Sequence, residues 1–158
     1  MPPSGNRLPS SIEPVRIDVL NGVNLDQLGR RDPALYGDSS LQDLETTIYS
    51  WARELKLQVR CRQTNHEGEY VEFLHAALDN ADALVVNPGA WTHYSWAIRD
   101  ALEPFPGPVI EVHLSDVDAR EEWRRHSVLE GIATDRIKGD GVDGYRRALE
   151  LLAARRDA

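Results

Sequence analysis

Two short stretches of this chain hold residue types that could move protons. In Arg30-Arg31-Asp32-Pro33-Ala34-Leu35-Tyr36-Gly37, two fixed positive charges stand five and six residues before a tyrosine. In Glu111-Val112-His113-Leu114-Ser115, three polar residues alternate with apolar ones, so on a strand all three project to one face. A free tyrosine has a pKa of about 10, so its phenolate is roughly one part in a thousand at neutral pH, a deficit of about 4 kcal/mol. An arginine within about 4–6 Å typically shifts an acid by one to three units, so one well-placed Arg would remove much of that deficit. Desolvation acts the other way, and a permanently ionised Tyr36 is not expected. The histidine needs the opposite treatment. To act as an acid it must hold a proton, which a nearby Glu111 favours. Two groups pushed apart in pKa are what an acid/base pair requires.

Each residue also has a plainer reading. Asn21, Asn24 and Asn87, beside Gly22, Pro88 and Gly89, are ordinary turn formers. His113 is either a hydrogen-bonded core histidine or a catalyst; three polar groups buried in a row are costly unless they serve a network. Arg120 and Arg124, four apart, form either a solvated helix face or an anion receiver. His66 and His93 stand in no HxH or HExxH pattern, and no metal is expected.

The elements that must position these groups follow from periodicity. Residues 15–20, 57–62, 82–87, 108–114 and 132–137 read as strands. Residues 41–56 read as a helix, with Leu41, Leu44, Ile48, Trp51 and Leu55 on one face and Asp38, Ser39 or Ser40 as cap. Further helices are expected over 67–80, 92–102, near 118–126 and over 142–154. Strands alternating with helices predict a flavodoxin-like, doubly wound, five-stranded parallel sheet with helices on both faces. The polar residues gather just after strands, in 20–37, 63–69, 87–93 and 111–115, and all four connections would open on one edge of the sheet. This convergence outweighs any single motif, because a site needs groups from distant parts of the chain to meet.

The totals set outer limits. With 158 residues and 41% hydrophobic content the chain makes one domain. A net charge of -8 disfavours nucleic acid or an anionic membrane surface as partner. Cys61, the one cysteine, cannot form an intrachain disulfide, and it reads as an ordinary packed thiol. No apolar run nears the roughly 20 residues of a membrane span. Residues 1–14, rich in Pro, Ser and Gly, read as a flexible extension without the apolar core of a secretion signal, residues 15–158 as a single catalytic α/β domain, and the protein as cytoplasmic. Gly139-Asp140-Gly141-Val142-Asp143-Gly144 matches the dinucleotide pattern GxGxxG, but it closes the domain and its aspartates would repel a pyrophosphate. A tight strand-to-helix turn is the better reading.

In order and spacing, LNGVNLDQLGRRDPALYG, RQTNHEGEYVEFLHAA, VVNPGAWTHYSWAIRDAL and PVIEVHLSDVDAREEWRRHS resemble the type II 3-dehydroquinate dehydratases, from about Val15 to Leu152. The resemblance implies a cofactor-free, metal-free enzyme, usually a dodecamer built as a tetramer of trimers, that removes water from 3-dehydroquinate to give 3-dehydroshikimate. The pathway would be shikimate synthesis or quinate breakdown. It implies further that Tyr36 takes a proton from C2 of the substrate, that Arg31 lowers the tyrosine's pKa, and that Asn24 helps hold a water on the enolate oxygen. His113 would protonate the departing C1 hydroxyl, with Glu111 supporting it. Asn87, His93, Arg124 and the backbone amides of Leu114 and Ser115 would bind the substrate's hydroxyls and carboxylate, and Asp100 would reach into a neighbouring subunit's site.

Departures from the family pattern are Val23 for a usual proline, Asp118 where histidine is frequent, and Trp123 where phenylalanine is common. None removes a group with an expected catalytic role. A Schiff-base route would need a lysine in the site; the two lysines, Lys56 and Lys138, fall outside the four clustered loops. A flavin- or nucleotide-binding module would lack a phosphate loop after the first strand. A non-catalytic relative would be expected to have lost Tyr36, Arg31 or His113. Gly29 and Gly37, flanking the tyrosine stretch, predict a segment able to close over substrate.

Overall fold

A computed structural model describes residues 13–158 of the chain. Five strands, β1 (Arg16–Asn21), β2 (Gln58–Gln63), β3 (Ala83–Asn87), β4 (Val109–His113) and β5 (Asp135–Lys138), pair in parallel in the order β2-β1-β3-β4-β5. β3 and β4 are buried at every position, as near-continuous apolar strands covered on both faces should be. The helices are α1 (Pro33–Tyr36), α2 (Leu41–Glu54), α3 (Glu67–Asn80), α4 (Trp96–Leu102) and α5 (Asp143–Asp157). Ile17, Val19, Val85, Ile110 and Val112 meet α2 and α5 on one face of the sheet. Leu20, Leu84, Val86 and Val109 meet α3 and α4 on the other. This is the expected flavodoxin-like, doubly wound arrangement. Strand order reverses between β1 and β3, so a crevice opens beyond their carboxyl ends, where open α/β sheets hold their ligands.

Local chemistry sets the element ends. Of the three candidate caps, Ser40 starts α2: its Oγ accepts from the Asp43 N–H at 3.1 Å, and the Asp43 carboxylate accepts from the Ser40 N–H at 3.2 Å. Such a reciprocal cap is worth about 1 kcal/mol. α4 begins later than expected. Residues 89–93 form a 3₁₀ turn, and Ser95 Oγ accepts from the Ile98 N–H at 3.2 Å, which places the first helical residue at Trp96.

Over residues 118–126 the expected charged helix is absent. Two 3₁₀ turns, Val117–Ala119 and Glu122–Arg125, stand there instead, with Arg120 in extended conformation between them. The segment offers Trp123 as its one large apolar side chain, and Trp123 is half exposed. A helix here would have rested on exposed ion pairs worth about 0.3–0.5 kcal/mol each. Asp116 caps the first turn by accepting from the Asp118 N–H, and Lys138 of β5 pairs with Asp118.

The proposed N-terminal extension lies outside the described residues apart from Glu13 and Pro14. Among the described residues no helix is long and apolar enough to cross a membrane.

Candidate active site

The loops after β1 and β3 meet backbone to backbone. The Gly22 N–H donates to the Asn87 carbonyl at 2.8 Å, and a Cβ on Gly22 would lie 2.3 Å from the Pro88 oxygen. Only glycine fits that approach. Beyond it the chain turns through Asn24 in the left-handed region (φ 68°), whose N–H donates to Asn65 Oδ1 at 2.9 Å. Three of the four polar loops, those after β1, β3 and β4, enclose a cleft of about 580 Å³ with its open mouth included, whereas the 63–69 loop contributes no lining residue and only braces the first loop through Asn65. Small-molecule sites typically hold about 300–1,000 Å³.

Tyr36 ends α1, the single helical turn that Asp32 caps through the Ala34 N–H and that Pro33 starts. Its ring is buried and its hydroxyl oxygen takes two charged donors, Arg31 Nη2 at 2.6 Å and Arg120 Nη1 at 2.7 Å. The Arg31 guanidinium also lies over the tyrosine ring, 3.8 Å from its centroid. Arg120 reaches onward to Ser115 Oγ at 3.2 Å. Sequence reasoning found Arg31 and left Arg120 on a helix, as a solvated face or an anion receiver, because the extended backbone at Arg120 has no signature in residue spacing. Arg30 is exposed.

Across the cleft, His113 Nε2 meets Glu111 Oε2 at 2.6 Å, with both side chains at most 5% exposed. The Ser127 hydroxyl donates to Glu111 Oε1 at 2.9 Å and Arg136 Nε to Oε2 at 2.9 Å. Burial pushes the Glu111 carboxyl up. His113, Arg136 and Ser127 together more than reverse this and hold it below the ordinary carboxylate range. An ionised Glu111 accepts only, so the proton lies on Nε2 and Nδ1 is the ring nitrogen left for the cleft.

His93 stacks on His113 with ring centroids 6.1 Å apart and has Trp123 edge-on at 5.3 Å. Its Nδ1 donates to the His126 carbonyl at 2.7 Å. Burial lowers its pKa, and the positive groups at His113, Arg124 and Arg136 add to this against the His126 carbonyl, so the ring is neutral with Nε2 as an acceptor. Arg124 lines the same wall and is held by Glu121 at 2.6 Å.

Asn87 is mostly engaged by the fold: its Nδ2 donates to the Tyr145 hydroxyl at 3.0 Å, and its Oδ1 accepts from the Gly89 N–H at 3.2 Å. The Leu114 and Ser115 carbonyls accept from Gly141 and Gly139 at 3.0 and 3.1 Å. The glycine-rich turn that imitates a nucleotide motif thus orients the peptide planes at the end of β4. Asp100 is exposed on α4 and does not line the cleft of its own chain. Every other expected site residue either lines it or, like Glu111, stands directly behind a residue that does.

The comparisons with known proteins give the family and the fold. Residues 15–153 match the family described as dehydroquinase class II. The chain belongs to the class II dehydroquinase family. The 3-dehydroquinate dehydratase of Pelobacter propionicus is 53% identical over 140 residues, 88% of this chain and 93% of that one. That of Deinococcus radiodurans is 48% identical over 136 residues, 85% and 95% of the two chains. Among solved structures, the type II dehydroquinase of Propionibacterium acnes superposes with a TM-score of 0.86 at 44% identity, over 90% of this chain and 99% of that one. Class II dehydroquinases dehydrate 3-dehydroquinate to 3-dehydroshikimate in the shikimate pathway, a hydro-lyase reaction.

Proposed function

We infer that this dehydroquinase removes water from 3-dehydroquinate by an anti elimination through an enolate, with Tyr36 as base and His113 as acid. The observation that carries this reading is one cleft with a tyrosine hydroxyl held by two guanidinium groups at one end and a carboxylate-bound imidazole at the other. Tyr36 takes the C2 proton, and the electron pair of the C–H bond moves to the C3 ketone oxygen as enolate. The enolate collapses to the ketone, its electrons form the C1–C2 double bond, and the C1 hydroxyl leaves as water with the Nδ1 proton of an imidazolium His113, whose Nε2 proton stays in its hydrogen bond to Glu111. Asn24 helps hold the water that hydrogen-bonds the enolate oxygen. Arg31 and Arg120 stabilise the phenolate oxygen that takes the C2 proton.

Asn87, His93, Arg124 and the Leu114 and Ser115 amides bind the substrate's hydroxyls and carboxylate; the neutral His93 would accept from a hydroxyl. No step needs an electron acceptor, a metal or a Schiff base, and Lys138 is engaged by Asp118. Arg31 and Tyr36 ride on a segment whose flanks, Gly29 and Gly37, have φ of 89° and 75°. That segment closes as a lid and excludes water. The same order in it with and without bound ligand would count against closure.

The protein works as a homododecamer, a tetramer of trimers, in the cytoplasm, with Asp100 entering a neighbour's site. Supporting an assembly are Tyr94, Trp96 and Trp123, 59%, 59% and 49% exposed, with Trp123 edge-on to His93 and Trp96 tilted against His126. Sedimentation should return twelve copies, and a monomer would refute the assembly. The pathway served is shikimate synthesis or quinate breakdown.

The function is tested by incubating the purified protein with 3-dehydroquinate and following the absorbance of the conjugated enone. A rise is expected, and borohydride added with substrate should leave it intact. No rise from an intact assembly would refute the activity, and inactivation by borohydride would refute the enolate route.

A further inference from the structure

One charge that faces the Glu111–His113 pair comes from β5, an edge strand outside the loops that enclose the cleft. Parallel pairing places Arg136 beside Glu111 and Lys138 beside His113. Ile137 between them enters the core under α2 and α5, so both cations lie on the His113 face of the sheet. Lys138 is engaged by Asp118. Arg136 donates from Nε to the same Oε2 that receives His113 Nε2, at 2.9 Å against 2.6 Å. Its side chain is 27% exposed and that of Glu111 is 1% exposed, so the contact is largely shielded from water.

We propose that Arg136 is a positioning residue of the dehydration, which by donating to Glu111 keeps that side chain an acceptor for the Nε2 proton of His113 and so keeps Nδ1, with the proton to be given, turned to substrate. This rests on the assignment of His113 as the acid. The groups facing Glu111 are His113 on its own strand, Arg136 on β5, the Ser127 hydroxyl, and Tyr70 of α3, which burial and then the Tyr145 and Glu111 charges push up. Behind His113 stand the neutral His93 and, beyond it, Arg124. Only His113 and Arg136 bring positive charge to the carboxylate. Burial works against the carboxylate constantly. Without the Arg136 cation, Glu111 would take up a proton at higher pH, become a donor, and compete with the Nε2 proton that it now accepts. The arginine uses only Nε on Glu111, so one positive nitrogen from lysine can replace it.

The pH dependence of kcat in Arg136→Leu, Arg136→Gln and Arg136→Lys tests this. The carboxylate form is lost as pH falls, so the acid limb should move up by about one pH unit in the Leu and Gln variants. Above pH ~8, kcat should stay within about threefold of wild type and KM should not change. The lysine variant should restore the wild-type limb. Gln retains a donor without charge, so the Gln and Lys pair decides the matter if the Leu variant does not assemble. Superimposable profiles, or a uniform loss at every pH that lysine does not rescue, would overturn the proposal. His113→Ala separates the two claims: inactivity there with unshifted Arg136 profiles sinks only Arg136, whereas full turnover in His113→Ala sinks the acid assignment with it.

Discussion

The two ends of the cleft are built on opposite plans. Tyr36 ends a single helical turn between two glycines of positive φ, and its partners, Arg31 and Arg120, come from two different loops. His113 sits at the end of a fully buried strand, and its carboxylate partner comes from the same face of that strand, braced from β5. One end is cationic and carried on a loop between two glycines; the other centres on an anion within the sheet. The chemistry explains the contrast. A base that must act as a phenolate gains from positive charge that favours its ionised form, and an acid gains from a carboxylate that favours its protonated form. The closure proposed for that loop would bring the base to a proton that the acid and binding groups already orient.

The contrast breaks most severely at the tyrosine oxygen. Tyr36→Phe keeps the ring in its pocket and removes only the atom that Arg31 and Arg120 address, so kcat should fall on the order of 10³-fold or more, with assembly and ligand binding nearly unchanged. Stopped-flow turnover and equilibrium ligand binding measured on one preparation check this. A residual wild-type rate would place the base elsewhere. Arg120→Met probes the second cation. Losing one of the two cations that favour the phenolate costs roughly 10²-fold in kcat, and an unchanged kcat would leave the tyrosine end dependent on Arg31 alone.

Arg120 also marks the limit of what residue order reveals. Arg31 and Tyr36 are five apart and Glu111 and His113 two apart, so local spacing alone brings each pair together once a turn or a strand is assumed. Strands and α3 were legible for the same reason, since burial repeats along the segment itself. Arg120 enters only because residues 118–126 do not form a helix, an outcome set by Asp116, Lys138 and the lack of an apolar stripe. Arg136 required the β4–β5 register, and the glycine-rich turn required knowing that its N–H groups meet the Leu114 and Ser115 carbonyls. These are relations between segments, which composition and periodicity do not encode.

At the anionic end, Glu111→Gln leaves the buried His113 and the partly buried Arg136 without their carboxylate. Breaking a buried pair in this way costs about 3 kcal/mol or more, and kcat should fall about tenfold to a hundredfold as His113 loses its support. The pH dependence has a definite sign. Glu111 is held below its unfolded value of roughly 4.3, so its stabilisation is complete above that value and is lost as pH falls through the folded one. The stability gap between wild type and Glu111→Gln, measured by denaturant titration, should therefore be constant above about pH 5.5 and close toward acid. A gap that widened toward acid would mean that Glu111 is protonated in the native state.

The smallest effect tests whether the two ends are mechanically joined. Lys138 follows Arg136 by two residues on β5, and through Asp118 it holds the turn that leads to Arg120, so one strand braces both the acid's carboxylate and the base's second cation. The pair is partly exposed, its side chains 34% and 42% accessible, which limits its worth to about 0–1 kcal/mol. Asp118→Asn removes the charge, and the backbone cap from Asp116 to the 118 N–H remains. Stability should drop by no more than about 1 kcal/mol, and kcat by about threefold or less, since Arg120 keeps its bonds to Tyr36 and Ser115. Salt should reproduce the change in wild type, because screening weakens an exposed pair while sparing the buried contacts of Glu111. A loss in Asp118→Asn as large as that of Arg120→Met would show instead that the ion pair, and not the arginine's own hydrogen bonds, sets the position of the cation at the tyrosine.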